Sequence, residues 1–236
     1  MKIGRFVHIL ALLLLIIGFV QPVMAAENDT KDAATVFYNT GVTLLETREY
    51  ARAIEAFDQA LAANTTMIRQ SDALLYIYQN KGYALIQLNN YTAAVQTIDQ
   101  GLELYGNDEK LWYNKGYALF KLEKYQDALN AYDKVLQINN QSTPALNNKG
   151  DTLFLMGRYQ DAVDAYTRAN AIEPNNTYSV AGLAKAQSAA GTANQNTIIL
   201  LVVILIIVAV GLFYYLKNRN PAEEKKAEKK AKGKKK

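Results

Sequence analysis

The chain has 236 residues, half of them apolar, with no cysteine and a single histidine. The missing thiols exclude disulfides and thiolate metal sites, and His8 lies inside an N-terminal apolar run whose removal would leave no imidazole. The net charge of +4 is uneven: Glu27 to Asn196 carries 14 basic and 19 acidic residues, whereas Lys217 to Lys236 carries 10 and 3. The basicity therefore belongs to a tail, and no nucleic-acid-binding face is expected.

In chain order, Lys2 and Arg5 precede an apolar stretch from Phe6 to Val20, followed by Gln21, Pro22 and small residues at Val23 and Ala25. That order predicts a signal peptide over residues 1–25, cleaved after Ala25, with an uncleaved signal anchor as the alternative. Either way the positive flank stays inside and the segment after the apolar stretch is translocated. A short linker, 26–33, leads into the folded part.

Gly82, Gly116 and Gly150 are 34 residues apart. Three residues after each stand Leu85, Leu119 and Leu153; nine after, Tyr91, Tyr125 and Tyr159; twelve after, Ala94, Ala128 and Ala162. An earlier copy places Gly41, Leu44, Tyr50 and Ala53 at the same offsets. Large apolar residues recur four before the glycine (Phe37, Tyr78, Trp112, Leu146) and sixteen after it (Phe57, Ile98, Tyr132, Tyr166). A period of this length marks a helix–turn–helix repeat whose amphipathic helices bury their apolar stripes only by stacking on neighbours.

These columns resemble the tetratricopeptide-repeat family, and the stretch from Trp112 to Tyr132 is similar to its ideal unit. The resemblance implies an all-α superhelix (an α-solenoid) over 34–191, with four repeats at 34–67, 75–108, 109–142 and 143–176 and a capping helix at 177–191. Two departures stand out. Proline closes only the last unit, at Pro174, while Thr65, Gly106 and Asn140 take that place elsewhere; and the first two glycines are 41 residues apart. Seven extra residues are about two helical turns, which predicts a longer first helix in repeat two, beginning between Thr66 and Asp72.

The resemblance also implies that the first helices line a concave groove. The positions that face it in the family are here Tyr76, Gln79 and Tyr83 in repeat two, Tyr113, Asn114, Tyr117 and Phe120 in repeat three, and Asn147, Asn148, Asp151 and Phe154 in repeat four. This face suits an extended peptide or an amphipathic helix, although its tyrosines serve equally well in repeat-to-repeat packing. The family's carboxylate clamp is not expected, because Tyr38, Gln79, Tyr113 and Asn147 stand where its lysine would be. Lys81, Lys115 and Lys149 recur before the glycines and are read as stems over apolar surface with their ammonium groups in water.

Residues 192–197 read as a flexible joint. Ile198 to Leu216 is an unbroken apolar run of 19 residues, long enough for a transmembrane helix. Tyr214, Tyr215, Lys217 and Arg219 suit its cytoplasmic end. The tail, 217–236, is too poor in apolar residues to fold; its lysines fit either attraction to anionic lipid or a simple stop-transfer signal. Asn28, Asn64, Asn90, Asn140 and Asn175 each begin an Asn-x-Ser/Thr glycan-acceptor triplet, although turns select asparagine in any case.

A mature chain without His or Cys lacks the commonest general base, the best nucleophile and the usual transition-metal ligands. Asp127, Asp133, Asp161 and Asp164 fall at solvent-facing spacing on second helices, and no Gly-rich phosphate loop appears. No enzyme activity, cofactor or metal is expected. The sequence predicts a single-pass membrane protein that presents its repeats on the exoplasmic side as a scaffold for a protein or peptide partner, similar to anchored repeat proteins of prokaryotic, especially archaeal, envelopes. A structural or assembly subunit of a membrane complex is the alternative, and a tail-anchored cytosolic co-chaperone a third.

Overall fold

The computed structural model describes residues 33–63 and 72–218. The signal segment, Asn28, Asn64, the 66–71 stretch of the inserted segment and nearly all of the lysine tail lie outside them. Among the described residues every regular element is helical: α1 (33–46), α2 (Tyr50–Ala62), α3 (Ala73–Gln87), α4 (Tyr91–Leu104), α5 (Glu109–Lys121), α6 (Tyr125–Ile138), α7 (Thr143–Leu155), α8 (Tyr159–Ile172) and α9 (Thr177–Lys217). They fall into two units, one reaching to Leu183 and one starting at Ala184.

In the first unit, three-residue turns fold α1/α2, α3/α4, α5/α6 and α7/α8 into hairpins. What closes each hairpin is a missing side chain. A Cβ added to Gly116 would lie 2.6 Å from the Tyr132 ring, and at Gly41, Gly82 and Gly150 it would meet Phe57, Ile98 and Tyr166 at 2.6 to 2.7 Å. The alanine column, Ala53, Ala94, Ala128 and Ala162, is fully buried beside these side chains. The residues picked out by the 34-residue period are thus the ones that let two helices touch and fill the space between them.

The turns share one backbone solution. The N–H groups of Glu49, Asn90, Lys124 and Arg158 bond back to the carbonyls of Leu44, Leu85, Leu119 and Leu153 at 2.8 to 2.9 Å. The residues just before them, Arg48, Asn89, Glu123 and Gly157, are left-handed, with φ between 58° and 74°. This is the Schellman stop, in which glycine is the unstrained residue. Two of the four turns therefore carry the cost of a long side chain at positive φ.

Successive hairpins are joined by a ladder of ion pairs. Lys81, Lys115 and Lys149 reach back to Asp58, Asp99 and Asp133 on the second helix of the preceding repeat at 2.5, 2.6 and 2.5 Å. This corrects the reading of these lysines as stems ending in water. The two columns are complementary: Thr40 stands at the lysine position where no repeat precedes, and Thr167 at the aspartate position where the following helix carries Leu183. Asp133 is thereby paired rather than merely solvated, as is Asp161, which accepts from Arg158 at 2.7 Å. Each exposed pair contributes at most about 1 kcal/mol.

Two elements differ from expectation. Helix α3 begins at Ala73 with Asp72 as its N-terminal boundary and runs 15 residues against 13 in α5 and α7, an extension of two residues that begins just after the expected Thr66–Asp72 window, of which residues 66–71 lie outside the described ones. The expected joint at 192–197 is helical: α9 is continuous from Thr177 to Lys217. No proline interrupts it, and the Thr192 and Thr197 hydroxyls bond to the carbonyls of Ser188 and Ala193 at 3.0 and 2.9 Å, which a helix tolerates. Its Ile198–Leu216 stretch is long and apolar enough to cross a membrane.

Glu123→Gly should stabilise the first unit by about 1 kcal/mol in urea unfolding, because it removes a side chain from a left-handed residue. Gly116→Ala should destabilise it by about 1–3 kcal/mol, because its methyl group meets the Tyr132 ring. Equal midpoints for the two variants would contradict both assignments.

Candidate functional site

The first helices of repeats two to four, α3, α5 and α7, bring the expected groove residues to one face, but in three different roles. Tyr76 and Tyr83 are exposed, at 43% and 42%. Tyr83, Tyr113 and Asn114 line a cavity of about 510 Å³ together with Asn80, Lys110 and Pro144. A smaller cavity of about 240 Å³ is lined by Tyr113, Asn147, Asn148, Glu173 and Tyr178. Tyr113 and Pro144 line both cavities and form the partition between them.

A second group forms struts between repeats. Gln79 is buried, and its Nε2 donates to both carboxylate oxygens of Asp108 at 2.9 Å. Asp108 caps α5 by accepting from the Leu111 N–H at 2.8 Å. Asn147 is buried in the same way and accepts from the Ser179 hydroxyl of α9 at 2.9 Å. Tyr113, in the same column, accepts from Asn148 Nδ2 at 3.0 Å. Gln79 and Asn147 thus satisfy the start of the next helix, and Tyr113 the middle of α7, before they can meet a ligand.

The third group packs within its own hairpin. Phe120 lies against Tyr125 and Phe154 against Tyr159, with ring centroids 5.9 and 5.2 Å apart. The Tyr117 ring carries the Lys121 ammonium at 5.4 Å. Asp151 is occupied by two hydroxyls, Tyr166 at 2.5 Å and Tyr178. Burial first, and then the bond to the Asp151 carboxylate, push both phenols well above their ordinary pKa. Burial likewise raises Tyr113. These hydroxyls stay protonated at physiological pH, and those of Tyr166 and Tyr178 donate to Asp151.

Column reasoning missed part of this surface. Asn80 shares its repeat position with Asn114 and Asn148, and Lys110 shares that of Tyr76, so both were reachable from the period. Pro144 and Tyr178 continue the Tyr76–Lys110 column at the same 34-residue period, whereas Glu173, at the end of α8, falls outside the groove columns. The described acceptor asparagines Asn90, Asn140 and Asn175 are all exposed in turns. Asn90 also caps α4, accepting from the Ala93 N–H at 3.3 Å through Oδ1 and not through the Nδ2 that a glycan would occupy.

Stacked helix pairs closed by contacts between a glycine and a large side chain define an α-solenoid. Family profiles described as tetratricopeptide repeat match residues 25–68, 75–108, 109–142 and 143–176. The chain belongs to the tetratricopeptide-repeat family. Among curated proteins, none matches the sequence. Of solved structures, the MamA protein is similar at a TM-score of 0.61 and 16% identity, covering 70% of this chain and 86% of that one. YrrB, described as a TPR protein with an unusual peptide-binding site, is similar at 0.56 and 20%, covering 69% and 86%. The first TPR domain of human RPAP3 is similar at 0.51 and 22%, covering 53% and 98%. These likenesses carry the fold and do not carry the narrower resemblance to anchored envelope proteins.

Gln79→Leu should lower stability by about 1–2 kcal/mol in urea unfolding, since it strips two hydrogen bonds from the carboxylate that caps α5. Asn114→Ala, on the open face of the same groove, should change it by less than about 0.5 kcal/mol. The reverse order would exchange strut and surface.

Proposed function

We propose that the chain is a membrane-anchored interaction scaffold that takes a peptide or protein partner on the concave face of its repeats. The observation that carries this reading is the 510 Å³ cavity, where Tyr83, Tyr113, Asn80 and Asn114 converge from two adjacent first helices. Exposed aromatic rings among amides are the composition of interface anchors, which hold a partner through a few large contacts. YrrB, a TPR protein with an unusual peptide-binding site, supports the same use of the fold.

The apolar Ile198–Leu216 stretch supplies the anchor in this reading, and the lysine-rich segment after it sets the orientation: tail in the cytoplasm, repeats exoplasmic. Glycans on Asn90, Asn140 or Asn175 would sit on turns, clear of the packed hairpins. Protease added to sealed cells should digest the repeats and leave a membrane-protected fragment containing the tail; protection of the repeats would contradict the orientation.

For the groove, Tyr83→Ala combined with Asn114→Ala should weaken partner capture by about tenfold or more, with helical content and unfolding midpoint unchanged. A double variant that stays folded and still captures the partner would move the binding surface elsewhere. Truncating Trp112 or Tyr132, by contrast, should cost about 3–5 kcal/mol of stability, so that binding is lost only with the fold.

A further inference from the structure

The two concave cavities differ in charge. Glu109 and Lys110 are the charged residues of the larger one. The Glu109 oxygens are engaged by Asn139 Nδ2 at 3.1 and 3.2 Å, whereas Lys110 has no ion-pair or hydrogen-bond partner among the described residues. The open charge there is a cation, beside the amides of Asn80 and Asn114. The smaller cavity has Glu173 as its one charged lining residue. That carboxylate accepts a single side-chain bond, from Asn176 at 2.8 Å, and keeps acceptor capacity. Its open charge is an anion.

Tyr113 and Pro144 separate the cavities, so a chain laid along the groove must cross them and drop one side chain on each side. Neighbouring first helices pack at about 8–10 Å. A chain in the polyproline II conformation advances about 3.1 Å per residue and returns to the same face every third residue, so three residues span one repeat with both side chains on the groove side and Tyr113 and Pro144 beneath the two intervening positions. We propose that the partner is an extended peptide carrying an acidic residue for the Lys110 cavity and a basic residue three positions away for the Glu173 cavity. Main-chain direction is open, so acid-x-x-base and base-x-x-acid are the two forms. The proposal rests on the groove being the binding surface. It excludes neutral peptides and segments whose charges are adjacent.

The test is selection of phage-displayed random decapeptides on the full chain in phosphatidylcholine nanodiscs, with empty discs subtracted. The expected result is enrichment of one of the two charge patterns. A synthetic peptide of the enriched sequence should bind about tenfold more weakly when its acid is replaced by glutamine. Selection on Lys110→Glu should replace the acidic preference by a basic one and leave the other position unchanged; Glu173→Lys should do the converse. Enriched peptides that lose binding to the Tyr83→Ala, Asn114→Ala variant but lack charges at this spacing would overturn the proposal while keeping the groove. Peptides that bind that variant undiminished, or no enrichment at all, would overturn both. An enriched pattern unchanged by Lys110→Glu would also overturn it.

Discussion

Everything in the first unit depends on the contact between a glycine on one helix and a large side chain on the next. Gly41, Gly82, Gly116 and Gly150 leave no room for even a methyl group against Phe57, Ile98, Tyr132 and Tyr166. This contact fixes the distance between the helices of each hairpin. The fully buried alanines beside it keep that distance, and the Leu44, Leu85, Leu119 and Leu153 carbonyls anchor the turns that reverse the chain. Because the same contact is made four times at nearly constant spacing, the first helices come out side by side, and repetition of the unit produces a concave face.

Interactions between hairpins are of two kinds. Apolar residues pack across each boundary, as Leu74 and Ile77 do with Phe57 and Ala60, and beside them lie partly exposed, individually weak polar pairs: three from first-helix lysines to the aspartates of the preceding second helix, and three hydrogen-bonded struts. The apolar contacts supply the stability within and between hairpins, and the polar pairs add registration. A polar pair that is satisfied in one register and unsatisfied in every other favours a single stacking geometry at little net cost.

Much of this was legible in the sequence, for a definite reason. A buried contact that recurs in every repeat writes itself as a column, so Gly82, Leu85, Tyr91, Ala94 and Ile98 can be assigned from spacing alone. Contacts between repeats leave a fainter mark, because they join two different columns. The lysines before the glycines are visible, but their meaning appears only when they are set against Asp58, Asp99 and Asp133 one repeat earlier, with Thr40 and Thr167 closing the ends. Gln79 and Asn147 read as open groove residues because polar groups on a concave face look available; each is spent on the start of the next helix. The continuity of α9 through Gly191 to Asn196 is hidden by composition, since small and amide residues suit a joint as well as an exposed helix whose threonines bond back to its own carbonyls.

The open part of the concave face is therefore narrower than its column positions imply. Struts, ring pairs and the doubly bonded Asp151 occupy its margins, leaving Tyr83, Asn80, Asn114 and Lys110 around one cavity and Glu173 beside another. Whether this face holds the partner is decided by a photo-crosslinking amino acid placed at Tyr83 or Asn114 in the intact chain in living cells, with Asn130 on a second helix as the comparison site. A partner held in the groove gives covalent adducts from the two groove positions and none from Asn130; adducts confined to Asn130 would place the partner on the opposite surface and contradict a binding groove.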